Sequence, residues 1–68
     1  MKMIKMILHN DREVSVNVDE VLYATPVFVE ETGMEVLKIV FKTGMEIDVL
    51  DKFHEFYEKA TEENYYIN

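Results

Sequence analysis

The chain has 68 residues, a formal net charge of -7 and no cysteine. A chain of this length buries only about 60% of the surface its unfolded form exposes, which allows one domain and leaves little room for a buried catalytic cleft. The charge argues against a surface that tracks nucleic-acid phosphates, because each phosphate contact needs a cation, and without cysteine there is neither a disulfide nor a thiolate zinc site. Lys2, Lys5 and Arg12 against Asp11 leave the first twelve residues slightly basic, so the remainder is about two charges more acidic than the total. The opening Met-Lys-Met-Ile-Lys-Met-Ile-Leu has too short an apolar run for a signal peptide, and no stretch approaches the ~20 apolar residues of a membrane helix. The expectation is a cytoplasmic protein.

In chain order, Ile4, Met6 and Leu8 alternate with Lys5 and Ile7, and Val14, Val16 and Val18 alternate with Ser15 and Asn17. A period of two is a strand signal, so the two segments predict a first hairpin turning through His9-Asn10-Asp11-Arg12. Two registers remain open. A loop at Asn10-Asp11-Arg12 pairs Leu8 with Val14, and a loop one residue earlier pairs Met6 with Val14 and puts Asp11 in the left-handed position. Asp19 closes this hairpin in a turn. Residues 21 to 30 form a long apolar strand interrupted by Pro26, which places that strand at an edge or puts a bulge at the proline.

The tetrapeptide Thr-Gly-Met-Glu occurs twice, at Thr32 to Glu35 and at Thr43 to Glu46, and marks two hairpin corners. At the second, a two-residue loop would set Phe41 opposite Glu46. A three-residue loop, Lys42-Thr43-Gly44, pairs Phe41 with Met45, Ile39 with Ile47 and Leu37 with Val49, and gives Gly44 the left-handed position. The same loop at Glu31-Thr32-Gly33 predicts Val27 opposite Leu37, Phe28 opposite Val36 and Tyr23 opposite Phe41. Lys38 then faces Asp48 as a cross-strand ion pair. After Leu50, the apolar residues Phe53, Phe56, Tyr57 and Ala60 recur at helical spacing, with Asp51 as the expected N-cap and the helix running from about 52 to 61.

These elements predict an α+β domain over residues 1-61, followed by an acidic aromatic tail over 62-68. Its architecture is a five-stranded antiparallel β-meander (2 to 9, 12 to 18, 21 to 30, 34 to 42, 45 to 50) with one C-terminal helix packed on one face. The expected core is Ile4, Met6, Val16, Leu37, Ile39, Phe41, Ile47, Val49, Phe53 and Phe56. One sheet face and the N-terminal strand edge stay apolar and open, so a homodimer or small oligomer is expected through either.

Catalytic motifs are absent from the sequence: the two glycines sit in separate turns, and no serine stands in a nucleophile elbow. His9 and His54 read as solvated. Asp11, Glu13, Asp19 and Glu20 lack the spacing of a calcium loop, so no metal or cofactor is expected. The side chains offered to a partner are Tyr57, Tyr65 and Tyr66, together with the acids Glu55, Glu58, Glu62 and Glu63.

The stretches Ile7 to Asn10, Val14 to Val21 and Phe41 to Val49 resemble the FlbD-like small flagellar and mobile-element proteins. Those read as a strand, a turn, a hydrophobic-Asn-x-Asp segment and a Gly hairpin that leads to a C-terminal helix. The resemblance covers about two thirds of the chain and implies no catalytic residue.

The expectation for function is a non-enzymatic protein-binding module of a bacterial mobile element or phage, docking by a sheet edge or by exposed aromatics without contacting nucleic acid. The alternative is an acidic inhibitor whose carboxylates stand in for phosphates in the basic groove of a nucleic-acid-binding protein.

Overall fold

A computed structural model describes residues 2-62. Its elements are β1 (Met3–Ile7), β2 (Glu13–Asn17), a 3-10 turn (Val18–Glu20), β3 (Val21–Val29), β4 (Met34–Phe41), β5 (Glu46–Val49) and α1 (Phe53–Thr61). The α+β class and the antiparallel pairing are as expected, but there is no single five-stranded meander. The strands form two sheets, β1-β2 and β3-β4-β5. The reason lies in the connections. The 3-10 turn separates β2 from β3, and the end of β1 turns to β5 instead, through an antiparallel bridge between Leu8 and Val49. His9 N–H donates to the Asp48 carbonyl at 3.0 Å and Leu50 N–H to the Ile7 carbonyl at 2.7 Å, joining the sheets.

The first hairpin adopts the register that pairs Met6 with Val14, and Asp11 takes the left-handed conformation at φ 70°. Asn10 supports it by accepting the Arg12 N–H. The last hairpin matches expectation: Leu37 lies opposite Val49 and Ile39 opposite Ile47, Phe41 N–H donates to the Met45 carbonyl at 2.8 Å, and Gly44 sits at φ 96°. A Cβ on Gly44 would meet nothing within 4 Å, so a side chain there is resisted by the backbone alone. Gly44→Val is expected to cost more than about 1 kcal/mol. An unchanged urea midpoint would refute the left-handed assignment.

The middle hairpin departs from expectation by one residue. Val29 pairs with Met34 and Val27 with Val36, so the loop is the four residues Glu30 to Gly33, and the register shifts again between Val21 and Tyr23, at Leu22. Proline sets this register. The Phe41 to Met45 hydrogen bond fixes the phase of β4: its odd residues turn their backbone groups to β5 and its even residues to β3. A three-residue loop would put Pro26 opposite Lys38, at a position that needs a donor. The observed pairing puts it opposite Leu37, where none is needed. The bulge therefore falls at Leu22, and Pro26 lies on an edge strand.

The core is Ile4, Met6, Val16, Leu37, Ile39, Val49 and Phe56, with Phe41 and Ile47 partly buried against it. Phe53, expected among them, is 44% exposed. The helix also begins one residue later than expected, because Asp51 is used elsewhere. Its Oδ1 accepts the Ile7 N–H at 2.8 Å, its Oδ2 lies 3.9 Å from Lys59 Nζ, and Lys59 reaches the Lys5 carbonyl. Lys52 occupies the N-cap position, with its N–H taken by Glu55 Oε1 at 3.1 Å. The Ile7 N–H and the Lys5 carbonyl, on the flank of β1 turned away from β2, are thus taken by the helix and its approach. The Ile7 end of the N-terminal strand edge is covered in this way. No helix among the described residues is long and apolar enough to cross a membrane.

Candidate docking surface

The middle hairpin overhangs the rest of the molecule. Pairing between β4 and β5 starts at Leu37 and Val49, so Met34 to Val36 have only β3 beside them. In an antiparallel pair, opposite residues share a face, so Pro26 and Phe28 project on the same side as Leu37 and Ile39. Leu37 and Ile39 are covered by the other sheet and α1. Phe28, farther out, is 62% exposed.

Beneath the overhang lies a cleft of about 200 Å³, with Pro26, Glu35 and Leu37 on one wall and Leu50, Asp51, Lys52, Phe53 and His54 on the other. Tyr57, one helical turn on, stacks on Phe53 with ring centroids 6.1 Å apart and stands 58% exposed. The periodicity that marks Phe53 and Tyr57 as a helix's inner face is correct as helix geometry. A cleft separates Phe53 from the sheet residues that face it, so that side of the helix is left partly open.

The free edge of β3 is built differently. Tyr23, Thr25, Val27 and Val29 spend their backbone groups on β4, which leaves Ala24, Pro26 and Phe28 turned outward. Pro26 has no N–H to give, so this edge is interrupted at its middle, a common device against strand addition.

Tyr57, Glu55, Glu58 and Glu62 are all exposed; Glu55 and Glu58 lie three residues apart on one side of α1, and Glu62 follows as its C-cap. Glu55 is partly committed to the helix start. Glu63, Tyr65 and Tyr66 lie outside the described residues. Lys38 does sit opposite Asp48, but its ion pair is with the diagonal neighbour Glu46, at 3.4 Å. His9 and His54 are exposed. Among the described residues no group of His, Asp and Glu is placed to hold a metal. The part of the surface that sequence reasoning missed is Pro26, Phe28, Glu35 and Leu50. Phe28 was assigned to a ladder position without regard to where that ladder loses its third strand.

No protein-family model, curated protein or solved structure matches this chain.

Proposed function

We propose that the chain is a small non-enzymatic protein-binding module that docks on its partner through the apolar surface beside the overhanging hairpin. The observation that carries this is where the aromatics are. Of the six described, Tyr23, Phe28, Phe53 and Tyr57 are exposed, Phe41 is half-buried and only Phe56 is buried. A chain this short of core gains most by burying such side chains, about 1.5–3 kcal/mol for a phenylalanine, so leaving them outside is costly unless a partner covers them. The interrupted β3 edge favours docking by side chains over added strands. Self-association would use the outer face of the three-stranded sheet, where Tyr23 and Val27 lie, or the Met3 end of the β1 edge.

A second reading keeps the acids Glu55, Glu58 and Glu62 as a phosphate mimic for a basic groove. The two are separated by capturing partners from a bacterial lysate at low and physiological salt with three forms of the chain. Docking predicts a partner that is largely retained at both salts, is lost on Phe28→Ser with Tyr57→Ser, and survives Glu58→Lys with Glu62→Lys. The reverse pattern, with steep loss in salt, would support the mimic and overturn the docking reading.

A further inference from the structure

The charge around the cleft narrows what can sit in it. From Glu13 to Leu37 the chain has no lysine or arginine, and that stretch includes three acids at the overhanging end of the hairpin, Glu30, Glu31 and Glu35. Glu35 lines the cleft beside Leu37 and lies opposite Phe28 in the ladder, and Glu30 and Glu31 begin the loop two residues past Phe28. Lys38 and Lys59 are engaged with other acids, Glu46 and Asp51. Asp51, on the facing wall, has Lys59 3.9 Å away, and Lys52 also lines the cleft. The cleft wall thus carries Glu35, with Glu30 and Glu31 farther out on the same hairpin, beside an apolar lining of Pro26, Leu37, Leu50 and Phe53.

The cleft's size, about 200 Å³, is below the roughly 300–1,000 Å³ of small-molecule and cofactor sites. It suits one large apolar side chain presented by a longer segment. Opposite charge beside the cleft would speed the encounter and reject acidic segments, while the buried side chain would supply most of the affinity.

We propose that this cleft seats a basic segment of a partner protein, with one apolar side chain entering between Pro26 and Phe53 and flanking lysines or arginines facing Glu30, Glu31 and Glu35. This rests on the docking reading and adds the partner's chemistry to it. Because these three acids are exposed, salt weakens the contact several-fold and does not abolish it.

The test titrates the full-length, isotope-labelled chain with two end-blocked synthetic peptides while backbone amide shifts are followed by NMR. One is Arg-Lys-Leu-Arg-Lys and the other its charge-reversed counterpart Glu-Glu-Leu-Glu-Glu. The basic peptide is expected to shift Phe28, Glu35 and Leu50 to His54, with the acidic peptide at least tenfold weaker. Phe28→Ser, at an exposed position that the fold does not need, should abolish those shifts, and Glu35→Lys should reduce the preference for the basic peptide. Equal shifts at the cleft from both peptides would overturn the basic partner and leave docking standing. Shifts confined to Glu58 and Glu62, or no shifts at millimolar peptide, would overturn the cleft as the seat.

Discussion

Ile39→Ala will leave a substantial fraction of chains unfolded at 25 °C. Ile39 is fully buried, with Ala24 opposite it on β3 and Ile47 on β5. Cutting isoleucine to alanine at such a site costs about 2–5 kcal/mol, from lost transfer energy and from the cavity left behind. Stability of about 0.05–0.15 kcal/mol per residue gives a chain of this size only a few kcal/mol to lose. The comparison that makes the result informative is Phe53→Ala. That removes a larger side chain from a half-exposed position and should cost no more than about 1 kcal/mol. Urea denaturation followed by circular dichroism measures both. If Phe53→Ala proved the more damaging, the division between core and docking surface drawn here would be wrong.

Pro26→Val will convert the edge of β3 into an aggregating one. The substitution supplies the missing N–H, so Ala24, residue 26 and Phe28 present an unbroken outward ladder with a β-branched residue at its centre. The apparent mass by light scattering should rise with concentration above that of the wild type, while the monomer's own contacts are kept. Thr25→Pro is the counterpart. Thr25 is turned inward to Lys38, so proline there removes a ladder bond and should destabilise the fold without promoting association. If Pro26→Val stays the size of the wild type, the outward phase assigned to residue 26 fails.

Much of the fold was legible in the sequence because its cues are local. Alternation identified all five strands, apolar residues three and four apart identified the helix, and Gly44 fixed both a loop length and a register. The middle hairpin was missed because the same tetrapeptide, Thr-Gly-Met-Glu, was assumed to make the same loop twice. It closes three residues at Gly44 and four at Gly33. The correct answer was in the sequence, since combining the phase set by the Gly44 hairpin with proline's missing donor excludes the three-residue loop. The placement of β1 against β5 was not legible. It depends on Asp51, whose sequence context is that of a helix cap, being used by a strand amide far away in the chain. The docking surface was half legible: Tyr57 was singled out, but Phe28 lies beyond the point where β5 ends, and no local pattern records that.

The clasp of β1 by Asp51 and Lys59 bears on the order in which the protein can be completed during synthesis. The Ile7 amide waits 44 residues for its carboxylate, and the Lys5 carbonyl waits 54 for its ammonium. A nascent chain emerging from the ribosome can close the hairpin of β1 and β2 early, but one flank of β1 stays open to water, or to a neighbouring nascent chain, until the helix follows. Translation proceeds at roughly 5–20 residues per second, so this exposure lasts for seconds, long compared with the ~1–10 μs in which a hairpin forms. Lys5, the lysine of β1, then guards that flank during the interval, before its carbonyl is claimed by the helix.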